Sequence, residues 1–154
     1  VNVGGGSTTV TGVEVKDYQP GILERLGPSG ERWAILTREA DGSLVTTANP
    51  ALRGERIRMY CGGVGQTNPP LSTNAAGLPG QTVVAPFIVA VNNGGVRVIS
   101  AEALPGAIGM YVITFEIPSN TTTGLNRGLV LAMLNPDGTI AANRLHSTTI
   151  PNIQ

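Results

Sequence analysis

Three groups of residues have types and spacing that invite chemistry. Gly62-Gly63-Val64-Gly65 has the form of a loop whose backbone amides cradle phosphate. Such a cradle needs its glycines to lead into a helix N-terminus, commonly with Lys and Ser or Thr next. Here they lead into Gln66-Thr67-Asn68-Pro69-Pro70, and the proline pair cannot open that helix. The loop is expected to be structural. His146 and Ser147, with Asp17, Asp41 or Asp137, hold the side chains of a hydrolytic triad. Neighbours on a strand point to opposite faces, so these two cannot pair, and His146 is expected to be a surface histidine of the last strand.

The remaining candidates are weaker. The ten acids are scattered, which leaves no converging pair for sugar hydrolysis. Asp41 and Asp137 could offer oxygens to calcium, but each precedes a glycine in a turn, where the carboxylate normally bonds its own backbone. Trp33 and Tyr18 could contact a glycan, although a lone Trp in a β-rich chain is expected to pack in the core. Cys61 and His146, the single Cys and His, are too few for structural zinc, and one cysteine forms no internal disulfide. Asn120-Thr121-Thr122 is a glycosylation sequon that also reads as a polar loop. No catalytic residue, metal or cofactor is expected.

The elements that would position these residues are short strands. The 21 glycines and 11 prolines leave little room for a long helix, and the best helical candidate is a turn around Asn49-Pro50-Ala51-Leu52. Strands are expected near Thr8–Lys16, Ile22–Leu26, Trp33–Ala40, Leu44–Thr47, Arg56–Gly62, Phe87–Asn92, Val96–Ala103, Met110–Ile117, Leu129–Asn135 and Arg144–Ile150. Alternation puts Ile57, Met59 and Cys61 on one face of their strand, and Tyr111, Ile113, Phe115 and Ile117 on one face of theirs. Leu129 to Leu134 is apolar on both faces, as in a central strand covered twice or one that meets a partner. Ala40-Asp41-Gly42-Ser43, Asn92-Asn93-Gly94-Gly95 and Asn135-Pro136-Asp137-Gly138 read as hairpin turns. The pattern is an all-β antiparallel sandwich over 17–154, preceded by an extended arm over 1–16.

With 154 residues, 41% hydrophobic and 13% charged, the chain is one domain with material for a real core. A formal net charge of zero argues against nucleic acid and against a polybasic membrane patch, and it removes a barrier to self-association. No apolar run reaches the length of a membrane span. The chain begins with Val, as expected of a processed or excised product.

One ordered set of segments carries a family resemblance. Asp17-Tyr18-Gln19-Pro20-Gly21-Ile22 is followed by Ala40-Asp41-Gly42-Ser43-Leu44-Val45, Ala48-Asn49-Pro50-Ala51, Arg53-Gly54-Glu55 and the run from Tyr60 to Pro70. Gly94-Gly95-Val96, Ala103 to Tyr111 and Ile117-Pro118 complete it. This order resembles the Solibacter-type C-terminal domain, an Ig-like module at the ends of large secreted acidobacterial proteins. The resemblance implies an Ig-like sandwich with Greek-key links, an extracellular or cell-surface location and a non-catalytic role. It transfers no catalytic residues, and the Cys61 position is more usually a small residue or Thr in that family.

The arm Val1-Asn2-Val3-Gly4-Gly5-Gly6 is a strand-like peptide on a glycine tether. Such a peptide can complete a neighbour's sheet, gaining affinity from main-chain bonds and specificity from alternate side chains. Val1, Val3, Val10, Val13 and Val15 are the expected interface. The expected function is therefore non-enzymatic: the repeating subunit of an extracellular filament or surface assembly, joined head to tail by strand donation. The alternative is a carbohydrate- or surface-binding module of a larger secreted protein.

Overall fold

The structure is a computed structural model that describes residues 2–3, 6–7, 9, 11–12 and 16–154. Fifteen strands form: β1 (Asn2–Val3), β2 (Gly6–Ser7), β3 (Gly21–Ile22), β4 (Glu24–Leu26), β5 (Arg32–Ala34), β6 (Leu36–Arg38), β7 (Arg56–Gly62), β8 (Thr67–Asn68), β9 (Thr82–Val83), β10 (Phe87–Val91), β11 (Gly94–Gly95), β12 (Val98–Ala103), β13 (Met110–Glu116), β14 (Gly124–Leu134) and β15 (Ile140–Ile153). They make a β-sandwich. One sheet runs β11-β10-β14-β15-β5-β4; the other runs β3-β7-β13-β12-β9-β8, with β6 also on β7. The neighbours β7–β13 and β10–β14 are far apart in sequence and joined by connections that pass between sheets, as in a Greek key. Pairing is antiparallel except where β5 meets β15 at Trp33 and Thr149 and at the isolated bridges Ala51–Ile153 and Gly77–Pro105.

Alternation builds the core between the layers. Ile57, Met59, Cys61, Ile113, Phe115 and Ile117 face Leu129, Leu131, Met133, Ile150 and Ile153, and all are fully buried. Each such aliphatic side chain contributes about 1.5–3 kcal/mol of burial, so truncating Phe115 to Ala would cost about 3–5 kcal/mol.

Two expected strands prove to be pairs of strands that change sheets. Gly21–Leu26 starts on β7 and ends on β5, while Arg32–Arg38 starts beside β15 and ends on β7. At the crossings the Ile35 amide donates to the Leu23 carbonyl at 2.8 Å, and the Leu23 amide to Tyr60 at 2.8 Å. One side of the sandwich is thereby stitched shut.

Other expectations are corrected. Of Thr8–Lys16, the residues Thr9, Thr11, Gly12 and Lys16 lie in no strand, because Gly12 takes φ 76° and breaks the extended backbone; Thr8, Val10 and 13–15 lie outside the described residues. Of Leu44–Thr47 only Leu44 bridges, to Thr37. Asn49–Leu52 is not helical: Ala51 bridges Ile153 instead, and no helix forms among the described residues. The three turns do close hairpins, the middle one through Asn92 and Asn93, both left-handed at φ 50° and 65°.

Candidate functional site

The expected interface falls largely beyond what can be placed. Val1, Val10, Val13 and Val15 lie outside the described residues. The backbone of Val3 pairs with Gly6, and Asn2 with Ser7, so the arm's described strands form a two-stranded sheet of their own. They join neither sheet of the sandwich. As far as it is described, the arm is a pair of strands rather than the single strand expected.

The root of this arm is held by the glycine loop. The Gln19 amide donates to the Gly63 carbonyl at 2.9 Å. A Cβ on Gly63 (φ 70°) would sit 1.9 Å from the Gln19 carbonyl oxygen, and one on Gly65 (φ 92°) 2.6 Å from the Tyr18 ring. Tyr111 fixes the same loop, its hydroxyl donating to the Gly65 carbonyl at 2.6 Å. The glycines are there so that Tyr18 and Gln19 can lie against the loop backbone. On the other side, Arg144 lies over the Tyr18 ring at 5.5 Å, and the Gln19 side chain reaches the Asn143 carbonyl. Between the root and the loop opens a cleft of about 720 Å³, lined by Asp17, Tyr18, Gln66, Val84, Pro86 and Tyr111 among others.

The two outer faces of the sandwich differ sharply in chemistry. On the sheet containing β7, the register aligns Arg58 with Thr114 and Ser100, Tyr60 with Val112 and Glu102, and Arg56 with Glu116. That face is polar and charged. On the sheet containing β14, Ile88 aligns with Ala132 and Leu145, Ala90 with Val130 and Ser147, and Leu134 with Ile140. None of these eight residues is charged. Leu145 and Ile140 keep 47% and 50% of their surface exposed, whereas Ala132 and Ala90 beside them are buried at 0% and 8%. Only the two-faced run Leu129–Leu134 hinted at this patch in the sequence; its partners depend on register.

Trp33, at 6% exposed, is buried, but on the outer face rather than in the core between the sheets. Its Nε1–H donates to Asn126 Oδ1 at 2.7 Å, and the Arg25 guanidinium lies over its ring at 5.0 Å. The Nε and Nη2 of Arg25 and the Nε of Arg127 are buried with no hydrogen-bond acceptor; for Arg25 the indole face supplies a compensating cation–π contact. Trp33 is thus no sugar platform. Comparisons with family models, curated proteins and solved structures found no match.

His146 is not the surface residue expected. It pairs with the core residue Leu131 across β14, so it faces inward at the stitched seam. Its Nδ1 accepts the Ile22 amide at 2.7 Å, and its Nε2 stands 3.6 Å from Glu24. Burial alone would raise the Glu24 carboxyl, but bonds from Thr148 and Arg32 and the charge of Arg32 hold it below its ordinary value. Ser147 points to the opposite face, as strand geometry requires. Burial pushes the Cys61 thiol up to about 12, which removes its nucleophilic form near neutrality. Asp41 Oδ1 accepts the Ser43 amide at 2.8 Å, and Asp137 Oδ1 the Thr139 hydroxyl at 2.7 Å and amide at 2.9 Å; these bonds hold both carboxyls below their ordinary range. Among the described residues no three His, Cys, Asp or Glu side chains gather to hold a metal, and no helix is long and apolar enough to cross a membrane.

Proposed function

We propose that this chain is a non-enzymatic, extracellular structural protein, the repeating subunit of a filament or surface assembly joined by its N-terminal arm. The observation that carries the reading is the arm itself: its described strands pair with each other and with neither sheet of their own chain, while its root is held by the Gly63 and Gly65 loop. An isolated two-stranded hairpin is marginal in water and gains stability only against a further surface. The uncharged outer face and the zero formal net charge favour contact between copies. Because donor and acceptor are different surfaces, the contact repeats head to tail. The resemblance to the Solibacter-type module favours export on the same reading. Deleting residues 1–6 tests it: the truncated chain should stay folded by circular dichroism yet sediment as a monomer, with fibres absent by electron microscopy. Assembly equal to the parent's would sink the reading.

A second reading, a carbohydrate- or surface-binding module of a larger secreted protein, is favoured by the cleft beside Tyr18 and Asp17. It requires a monomer retained on a glycan array, and a Tyr18→Ala variant that is not.

A further inference from the structure

We propose that the uncharged outer face of the β14 sheet is the surface that receives the N-terminal hairpin of a second copy. The inference rests on the assembly reading above and names its acceptor. Three observations select this face and this occupant.

The first is chemical match. Residues 1–13 carry no charge, and the first ionisable side chain is Glu14. The rows Ile88–Ala132–Leu145, Ala90–Val130–Ser147 and Leu134–Ile140 carry none either. The opposite face sets Arg56, Arg58, Glu102 and Glu116 in its rows, where an uncharged peptide would desolvate charge without compensation. Arg25 stands over Trp33 on one side of the uncharged face, and Arg144 is turned to Tyr18, so these charges stay out of its rows.

The second is size. Three strands at ~4.8 Å spacing and three rows at ~6.8 Å give a patch of roughly 300 Å². A stable face-to-face dimer needs about 800 Å² per partner, so this face is too small for a second sandwich laid flat upon it. It suits a short hairpin, packed sheet on sheet. With residues 2–7 paired as a hairpin, the nine residues 8–16 form the tether and span at most about 30 Å, enough to leave one copy and reach the next.

The third is the exposure left at the patch's β15 side. The hairpin pairs with neither sheet of its own sandwich, and Leu145 and Ile140 stay about half exposed. On this inference the occupant that completes the cover comes from another copy, which the mixing experiment below decides.

A complementation experiment tests this. One variant carries Leu145→Lys and Ser147→Lys, exposed positions whose change spares the core; the other lacks residues 1–6. Each alone should sediment as a monomer, because one lacks the acceptor and the other the donor. Mixed in equal amounts they should form a dimer and stop there, since the pair leaves one dead donor and one dead acceptor at its ends. If the lysine variant assembles like the parent while the deletion does not, the arm docks elsewhere: this inference falls and the assembly reading stands. If the deletion variant assembles, both fall. If both are monomers but the mixture stays monomeric, the arm of one copy does not dock on this face of another, and this inference falls. Ser147→Lys alone serves where the double variant fails to fold, judged by Trp33 fluorescence, with the same outcomes.

Discussion

Replacing Gly63 with Ala is the sharpest probe of how the arm root is held. Gly63 sits at φ 70°, and the added Cβ would fall 1.9 Å from the Gln19 carbonyl oxygen, a backbone atom that cannot rotate aside. Gly42 supplies the control, at φ 71° with open space around its Cβ. A left-handed alanine costs about 1–2 kcal/mol, which is all that Gly42→Ala should lose. Gly63→Ala adds the displaced backbone and the lost 2.9 Å bond from Gln19, for a total of about 3–4 kcal/mol. The two variants thus differ by about 2 kcal/mol, and with a urea slope of about 1–3 kcal/mol/M the midpoint read from Trp33 fluorescence should fall about 0.7–2 M further than in Gly42→Ala. The strain has one cheaper escape, release of Asp17–Pro20 from the loop. A lysine-specific protease reports that escape, because Lys16 is the only lysine and lies beside the root. Equal midpoints for the two variants, with unchanged cleavage at Lys16, would refute the clamp.

Three further expectations follow from the seam and the core. The Glu24 carboxyl is held below its ordinary value of 4.5, so its contribution to stability is present above that pH and is lost as pH falls through the folded value. Urea midpoints should decline from pH 5 toward pH 3, and Glu24→Gln should flatten the decline. Cys61, buried and with its thiol pushed up to about 12, should react with a disulfide reagent at pH 8 only as fast as the chain opens; rapid native-state labelling would contradict its burial. Asn126→Ala removes the acceptor of the Trp33 indole and places alanine at φ 51°, which should cost about 2–4 kcal/mol in the same urea assay.

The parts legible in the sequence are those where alternation is uninterrupted. Arg56–Gly62 lies where its inward Ile57, Met59 and Cys61 placed it, and Met110–Glu116 ends one residue before the expected Ile117. β14 was expected from Leu129 but begins at Gly124, because Gly124 at φ 122° and Asn126 at φ 51° interrupt the extended pattern while the strand continues to pair. β15 outruns the expected Arg144–Ile150 in both directions; Pro151 reads as a stop, yet pairing persists to Ile153. Strands that change sheets, such as Arg32–Arg38, look continuous because residue type does not record which layer a strand has joined. The same limit hid the candidate site. Ile88, Ala132 and Leu145 come from three separate segments, and only the register between strands sets them in one row. His146 was misread because its inward side is polar, with Glu24 and Thr148 for company rather than hydrocarbon.

The stitched side has a consequence for how the molecule comes apart. Gly21–Leu26 and Arg32–Arg38 each hold hydrogen bonds in both layers, so neither sheet can be lost while the other persists. Partial opening, the state from which sandwiches expose long edges and aggregate, has no cheap route on that side. Amide exchange should report one common opening free energy for β7 and β14, where two separable layers would give two. The assembly proposed above would gain from this, because a chain that opens only as a whole presents its neighbours with no unravelled strand.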